Sequence, residues 1–296
     1  MEALFLGTSS MVPTKERNHA GIFVTYRDQG ILLDCGEGTQ RQLKSAGISL
    51  TKITKILLTH WHGDHVLGLP GLVQTMGSMD YPGTLHIYGP RGTRKRFELL
   101  KKALVFEDRF ETEVHDIAKR VFFEDREYFM EALPLDHSTP CLGFSIVERD
   151  RRRINVEALK SLGIPEGPLV GQLAEGHGIK WKGETVNPEQ VSYLQKGKKL
   201  CYVTDTAVCN NAVELAMEAD AFICEATYDD DLEEKAGKYK HLTARQAASI
   251  ANQAGVKRLI LTHFSQRYKE TGRIVESART VFSNSTGADD FMRFKV

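Results

Sequence analysis

Four side chains of types that bind transition metals lie within the six-residue segment His60-Trp61-His62-Gly63-Asp64-His65, directly after an apolar run. Imidazole nitrogens and a carboxylate suit Zn²⁺ and similar borderline metals. Four donors packed into one turn cannot all point at a single ion. The spacing therefore predicts a binuclear metal centre, with His60 and His62 on one ion and Asp64 and His65 on the other.

Two ions need further donors, and three more candidates follow apolar runs elsewhere in the chain. They are His137 after MEALPLD, Asp205 after LCYVT and His263 after RLILT. A single His or Asp at a strand end is commonly just a hydrogen-bonded polar residue. In combination with the cluster, ligation is the favoured interpretation for all three, because strand ends are places where side chains from distant segments converge.

Hydrophobic patterning indicates which elements would position these donors. Apolar runs predict strands over 2–7, 21–26, 30–35, 55–60, 84–90, 122–125, 127–135, 142–148, 200–205, 221–227 and 258–263. Helical periodicity predicts helices over 37–47, 64–76 and 243–255. This mixture indicates a layered α/β (α+β) fold. The runs 55–60 and 258–263 both end in Thr-His, which suggests two related halves, with chance similarity as the alternative.

The segment 151–196, called the arm below, has a different composition. It opens with three arginines, is rich in glycine and proline, and shows little helix or strand periodicity. Loops of this length inside compact domains are uncommon and are usually functional. The sequence thus predicts one domain over 1–296 with a projecting arm at 151–196. A flexible linker is the alternative, although Ile164, Leu173 and Trp181 provide apolar anchors.

Charge balance, cysteine spacing and the lengths of apolar stretches narrow the kinds of protein that this sequence could encode. The chain has 296 residues and balanced charges, 39 Lys and Arg against 39 Asp and Glu, so whole-chain charge does not indicate a nucleic-acid partner. Five scattered cysteines without C-x-x-C spacing indicate buried thiols. The start lacks a signal-peptide pattern, and no apolar stretch approaches the ~18 residues of a membrane span. We therefore expect a cytoplasmic protein with no membrane partner.

The donor series resembles that of the metallo-β-lactamase superfamily, with Asp34 in the motif LLDCGEG ahead of the cluster. This resemblance implies an αββα sandwich, in which two mixed sheets pack face to face with helices outside. It also implies two Zn²⁺ ions per chain. The implied ligands are His60, His62, Asp64, His65, His137, Asp205 and His263.

Three further motifs resemble the short form of the ribonuclease Z family. They are Pro13–Asn18 (PTKERN), His241–Thr243 (HLT) before a predicted helix, and 163–173 (GIPEGPLVGQL), which is similar to the family's tRNA-gripping exosite. One departure is Thr204 before Asp205, where the family has glycine. The resemblance implies an endoribonuclease that removes 3′ trailers from tRNA precursors, commonly as a homodimer. It would leave a 3′-hydroxyl on the tRNA and a 5′-phosphate on the trailer.

The resemblance and the chemistry of phosphodiester hydrolysis together suggest roles. Asp64 would orient the attacking hydroxide and accept its proton, Asp205 would bridge the ions, and Asp34 would orient ligands. His241 would be the general acid for the leaving oxygen; the alternative is a solvated histidine at a helix start. The implied substrate-binding residues are Lys15, Arg17, Asn18 and Thr243. For Lys15 and Arg17, an ordinary solvated basic loop is the alternative.

Two other functions compete with this interpretation. One is a metal-dependent hydrolase of a small ester or cyclic phosphodiester on the same fold. A long basic arm argues against it, because a small substrate makes no use of such a projection. The other is a catalytically silent tRNA-binding protein, against which the complete set of metal donors argues.

Overall fold

The computed structural model describes residues 1–105 and 107–296. The strands are β1 (Glu2–Gly7), β2 (Gly21–Tyr26), β3 (Gln29–Leu33), β4 (Ile53–Leu57), β5 (Leu85–Gly89), β6 (Thr112–Asp116), β7 (Val121–Glu124), β8 (Tyr128–Leu135), β9 (Cys141–Glu148), β10 (Arg151–Ile154), β11 (Ile179–Trp181), β12 (Glu184–Val186), β13 (Ser192–Gln195), β14 (Lys199–Val203), β15 (Ala221–Glu225), β16 (Leu259–Thr262), β17 (Ser285–Gly287) and β18 (Arg293–Lys295). The helices are α1 (Thr39–Ser45), α2 (Gly63–Val66), α3 (Leu69–Ser78), α4 (Thr93–Lys102), α5 (Val156–Ser161), α6 (Pro168–Ala174), α7 (Pro188–Val191), α8 (Asn210–Ala216), α9 (Glu233–Tyr239), α10 (Ala244–Gln253) and α11 (Gly272–Arg279). None of the helices in this described part of the chain has both the length and the apolar character that crossing a membrane requires.

Two seven-stranded mixed sheets form the centre of the molecule. Their strand orders are β18-β1-β2-β3-β4-β5-β6 and β17-β16-β15-β14-β9-β8-β7. One apolar cluster, with Phe5, Tyr128 and Tyr202 among its members, fills the space between the sheets. Two other clusters join the outer sheet faces to helices, through Leu72 of α3 on one side and Ile250 of α10 on the other. The expected αββα sandwich is confirmed.

Burial on both faces explains why the strands are nearly continuous apolar runs. In β1, Phe5 belongs to the cluster between the sheets, whereas Leu4 and Leu6 belong to an outer cluster beneath helices. A sheet covered on both sides has no solvent face on which polar residues could alternate. Every predicted strand corresponds to an observed one, with shifts only at the ends.

The two sheets share one topology. Counted from β18 in the first sheet and from β7 in the second, each has three antiparallel pairings followed by three parallel pairings. In this alignment β3 matches β14 and β4 matches β15. The Thr-His endings that suggested related halves follow β4 and β16, which are not equivalent strands. The equivalent residues are instead Asp34 and Asp205, which follow β3 and β14 with φ values of 56° and 54°.

Some sequence predictions are wrong in detail. The helix predicted over 64–76 is two helices, α2 and α3, separated at Gly68. A Cβ at Gly68 would lie 2.0 Å from the Gly36 carbonyl oxygen, so the backbones approach too closely there for any other residue. Four other helices and three short strands had no prediction: α4, α8, α9, α11, β6, β17 and β18.

The arm contains regular structure despite the weak periodicity of its sequence. A two-stranded sheet of β10 and β13 forms its base, β11 and β12 form a hairpin, and three short helices pack between them. Six buried residues give the arm an apolar cluster of its own: Leu159, Ile164, Leu173, Ile179, Val186 and Val191. Each element spans at most seven residues, which is too short for a clear periodicity.

Candidate metal centre and catalytic site

Strand ends position the donors predicted from the sequence. His60 follows β4, and the turn after it places His62 before α2 and His65 inside that helix. Asp205 follows β14 and His263 follows β16, both with a positive φ. These sharp turns direct the side chains out of the β-sheets and toward a common point. The structure brings all seven predicted donors together in two groups that share Asp205.

The first group contains His60, His62, His137 and Asp205. His60 Nε2 lies 3.1 Å from Asp205 Oδ2 and 3.0 Å from His62 Nδ1. His137 Nε2 lies 3.3 Å from the same nitrogen of His62 and 3.9 Å from Asp205 Oδ2. The predicted pairing of His60 with His62 is therefore what the structure shows.

The second group contains Asp64, His65, Asp205 and His263. His65 Nε2 lies 3.4 Å from Asp64 Oδ2, 3.4 Å from Asp205 Oδ2 and 3.3 Å from His263 Nε2. His263 Nε2 lies 3.1 Å from Asp205 Oδ1. Asp64 and His65 share this group, as their spacing predicts. Asp205 Oδ2 faces His60, His137 and His65, and its Oδ1 faces His263.

The donor set fits divalent metal ions. Two ligands at about 2.0–2.1 Å from a zinc ion in a tetrahedron lie about 3.3–3.4 Å apart, and most of the separations above are close to that value. Asp64 Oδ1 is buried and has no hydrogen-bond partner in the described part of the chain. Burial opposes ionisation of Asp64, but His65 and His263 hold the pKa of this carboxyl well below its usual range. The group therefore provides a negative charge at neutral pH.

Neighbouring side chains fix the orientation of the histidine rings. The Nδ1 atoms lie 3.0 Å from Thr59 Oγ1 in His60, 2.9 Å from Asp34 Oδ2 in His65, and 3.0 Å from Thr227 Oγ1 in His263. Each contact leaves Nε2 directed at the centre, which is the usual arrangement behind metal-binding histidines.

Asp34 is itself firmly held. Its carboxylate accepts hydrogen bonds from the Thr59 backbone N–H (2.8 Å) and from the Tyr202 hydroxyl (3.0 Å), and the residue is completely buried. Asp34 therefore contacts the predicted metal ligand His65, but it is not itself a member of either donor group. This is the position that an orienting role for Asp34 requires.

His241 lies beside the two groups in the segment between α9 and α10. Its Nδ1 is 3.0 Å from Glu225 Oε2 and 4.0 Å from Asp205 Oδ1. Burial disfavours the charged ring, but the Glu225 carboxylate outweighs that effect and, with Asp205 and Asp64, raises the pKa of His241 to about 9. His241 therefore carries a proton at neutral pH, as a general acid must.

Glu225 is a site residue that the sequence prediction missed. It ends β15, is completely buried, and accepts a hydrogen bond from the Thr206 backbone N–H (2.8 Å) besides its contact with His241. A signal exists in the sequence, because AFICE ends an otherwise apolar strand with a charge, as LLD does at Asp34.

A cavity of about 380 Å³ opens onto the donors. Asp64, His137 and His241 line its floor, and Lys238 and Lys240 lie among its walls with Tyr228 and Tyr239. Cationic and aromatic side chains above a metal-binding floor suit a phosphate ester whose neighbouring group is a flat ring.

Three of the four expected substrate-binding residues are engaged within the protein. Arg17 is buried and donates to the carbonyl oxygens of Tyr268 (2.7 Å) and Lys269 (3.1 Å). Asn18 Nδ2 donates to the Glu37 carbonyl (2.8 Å). Thr243 is buried and caps α10 in a capping box with Gln246. These three side chains hold loops in place, and of the four residues Lys15 alone is exposed. Contact of the four residues with substrate stays a prediction.

Comparisons with known proteins agree with this geometry. Two family models match parts of the chain, "Anti-Pycsar protein Apyc1" over residues 1–143 and "Beta-lactamase superfamily domain" over residues 176–264. Ribonuclease Z of Methanothermobacter thermautotrophicus is 43% identical over 100% of this chain and 97% of its own length. Ribonuclease Z of Thermobifida fusca is also 43% identical, over 100% of this chain and 94% of its own.

Among solved structures, human tRNase Z, short form, is 30% identical, with a TM-score of 0.73. The match covers 100% of this chain and 99% of the human one. The resemblance deduced from the motifs is thus confirmed over the full length. The chain belongs to the ribonuclease Z family, on the metallo-β-lactamase fold.

Proposed function

We propose that this chain is a zinc-dependent endoribonuclease that removes 3′ trailers from tRNA precursors. The observation that carries the proposal is that residues of both metal-donor groups line one cavity together with His241, whose Nδ1 lies 3.0 Å from Glu225 Oε2. Relatives named ribonuclease Z that match the whole chain support the substrate class. A small-ester hydrolase would need the same donors but would make no use of the arm.

Two Zn²⁺ ions per chain fit the donor groups. His60, His62, His137 and Asp205 would hold one ion, and Asp64, His65, Asp205 and His263 would hold the other. When bound, such ions provide an activated water at neutral pH and neutralise charge on the phosphate. We assign zinc from the ratio of imidazole to carboxylate donors.

Protein side chains then control the protons. Asp64 lines the cavity, and its buried Oδ1, which has no hydrogen-bond partner among the described residues, is assigned to orient the attacking water and accept its proton. His241 donates its proton to the departing ribose 3′-oxygen, and Glu225 holds the imidazole in the charged state. Attack by water leaves a 3′-hydroxyl on the tRNA and a 5′-phosphate on the trailer.

Recognition of the tRNA body is assigned to the arm within one domain over 1–296. Arg153 and Lys196 of this segment lie with Arg27 and Lys198 around a cleft where the arm joins the sheets. Such cations contact phosphates without reading sequence. We place the enzyme in the cytoplasm as a homodimer in which the arm of one subunit holds the tRNA that the other cleaves; sedimentation analysis at working concentration tests the dimer.

A single experiment tests the activity. Purified protein is incubated with a 3′-extended tRNA precursor, and both product ends are mapped. We expect a 3′-hydroxyl on the tRNA, a 5′-phosphate on the trailer, and about two zinc ions per chain by plasma mass spectrometry. A 2′,3′-cyclic phosphate would exclude water as the attacking group, and an uncut precursor beside rapid hydrolysis of small esters would favour the competing function.

A further inference from the structure

A second set of metal donors lies outside the catalytic centre, on two strands at the edge of the first sheet. His86 of β5 pairs in register with Glu113 of β6, and His115 lies two residues further along β6 on the same face. Donor atoms of these three residues all lie within 4.8 Å of one another. In a strand, residues two apart share a face, so this backbone holds the three side chains together.

The distances within this set resemble those of the catalytic centre. Glu113 Oε2 lies 3.2 Å from His86 Nδ1 and 3.4 Å from His115 Nε2. Both ring nitrogens are shielded from water, and within residues 1–105 and 107–296 neither makes a hydrogen bond. Buried polar atoms without partners are costly. An ion between them would satisfy both nitrogens and the carboxylate at once.

The surroundings hold the His115 ring in place. Tyr88 stacks on the His115 ring at 4.7 Å between centroids, which restricts its rotation. The nearby cation Lys55 is turned away, because its Nζ lies 2.9 Å from Gln29 Oε1 and over the Phe123 ring.

We propose that His86, Glu113 and His115 bind one divalent transition-metal ion at the edge of the first sheet, separate from the catalytic centre. The three protein donors leave a fourth position for water. His86 lies near the amino end of β5, whereas the catalytic donors follow the carboxyl ends of strands. An ion here links the edge strand β6 to β5, so its role is to stabilise the sheet edge.

Zinc binding by the holoenzyme tests the proposal. The parent protein and the variants His86→Ala and Glu113→Gln are dialysed against one buffered free-zinc concentration, and zinc per chain is measured by plasma mass spectrometry. The variant His177→Ala, which removes an exposed histidine of the arm, is the matched control. We expect parent and control to bind one more ion per chain than either variant, and zinc affinity at this site to fall at least tenfold.

Thermal melting provides a second measurement. Zinc added beyond the catalytic complement should raise the melting temperature of the parent and of His177→Ala but leave both variants unchanged. Hydrolysis of a small aryl phosphodiester should be equal in all four proteins, which shows that the catalytic centre remains loaded. Glu113→Gln keeps the side-chain volume, so it reports on ligation even where His86→Ala disturbs folding.

Two results would overturn the proposal. One is equal zinc content in the parent and both variants. The other is loss of the extra ion in His177→Ala as well, since the binding would then be distributed over surface histidines. Because the comparison uses differences between matched proteins, it stands even when the number of catalytic ions differs from two.

Discussion

The catalytic centre and the arm differ in how their residues are held. His60, His65 and Glu225 at the centre are 0% exposed, and their partners come from both large sheets. The arm has six buried residues in its own cluster, and Tyr193 and Leu194 of β13 are 59% and 56% exposed. The side chains of the catalytic centre are fixed by the main core of the protein, whereas the arm is held together by its own small apolar cluster. Changes in the two regions should therefore have separable effects.

The largest loss of activity should come from substitution of the metal donors. In His62→Ala and His263→Ala, activity should be abolished on both a tRNA precursor and a small aryl phosphodiester, because each substrate needs the complete centre. The fold should persist, since the core lies between the sheets and not around the donors. Metal analysis, turnover on both substrates and circular dichroism provide the measurements, and Gln172→Ala in the arm is the control. Unfolding of either variant would show that the ions are structural.

His241→Ala should have the next largest effect, and one that depends on the leaving group. Without the acid, kcat on a precursor should fall by about 10² to 10⁴. A nitrophenolate leaving group needs little proton assistance, so its release should slow far less, and zinc content should stay at the parent level. Equal losses on both substrates would instead assign His241 to phosphate positioning.

Deletion of the arm should impair binding of the precursor and leave the chemistry intact. Replacing 154–191 by a short Gly-Ser linker should weaken precursor binding by roughly 10² while sparing the aryl phosphodiester, because the arm would contribute phosphate contacts and not chemistry. Binding by the parent should also weaken steeply with salt. Filter binding at several salt concentrations and turnover on both substrates measure these effects. Full precursor cleavage by the deleted protein would reduce the arm to a linker.

The contrast between the catalytic centre and the arm also explains which features could be predicted from the sequence. The catalytic donors were predictable because their types are distinctive and each follows a strong apolar run, as His60 and His263 do. Glu225 was missed because its significance lies in a contact with His241, sixteen residues away along the chain. The arm was missed as structure because its elements are short. Burial of the Arg17 and Thr243 side chains could not be predicted either, because a motif does not show which way a side chain points.

Glu225→Gln should shift a pH profile and leave both binding and fold in place. Because Glu225 raises the pKa of His241 to about 9, the acid is protonated below that pH and kcat should fall only as pH rises through it. Removing the negative charge of Glu225 lowers the pKa of His241 toward the ordinary histidine value of about 6.5. The fall in kcat then occurs at lower pH. At pH 8 we expect a kcat on a precursor about thirtyfold lower. An unchanged alkaline limit would mean that another group sets it.

The smallest effect should come from loosening the arm without removing it. Leu173 of α6 is 0% exposed in the arm cluster, and Leu→Ala changes at such sites cost about 2–5 kcal/mol. A core of six residues cannot absorb that loss as the main sheets could, so the arm should open locally while the melting temperature of the body stays nearly constant. We expect faster hydrogen exchange confined to 151–196 and a higher KM for precursor, with kcat on the aryl phosphodiester unchanged. Gln172→Ala, on the exposed face of the same helix, should leave hydrogen exchange and the melting temperature at parent values. If Leu173→Ala lowered the melting temperature of the sheets as much as that of the arm, the two regions would fold as one unit, and the separation argued from their packing would fail.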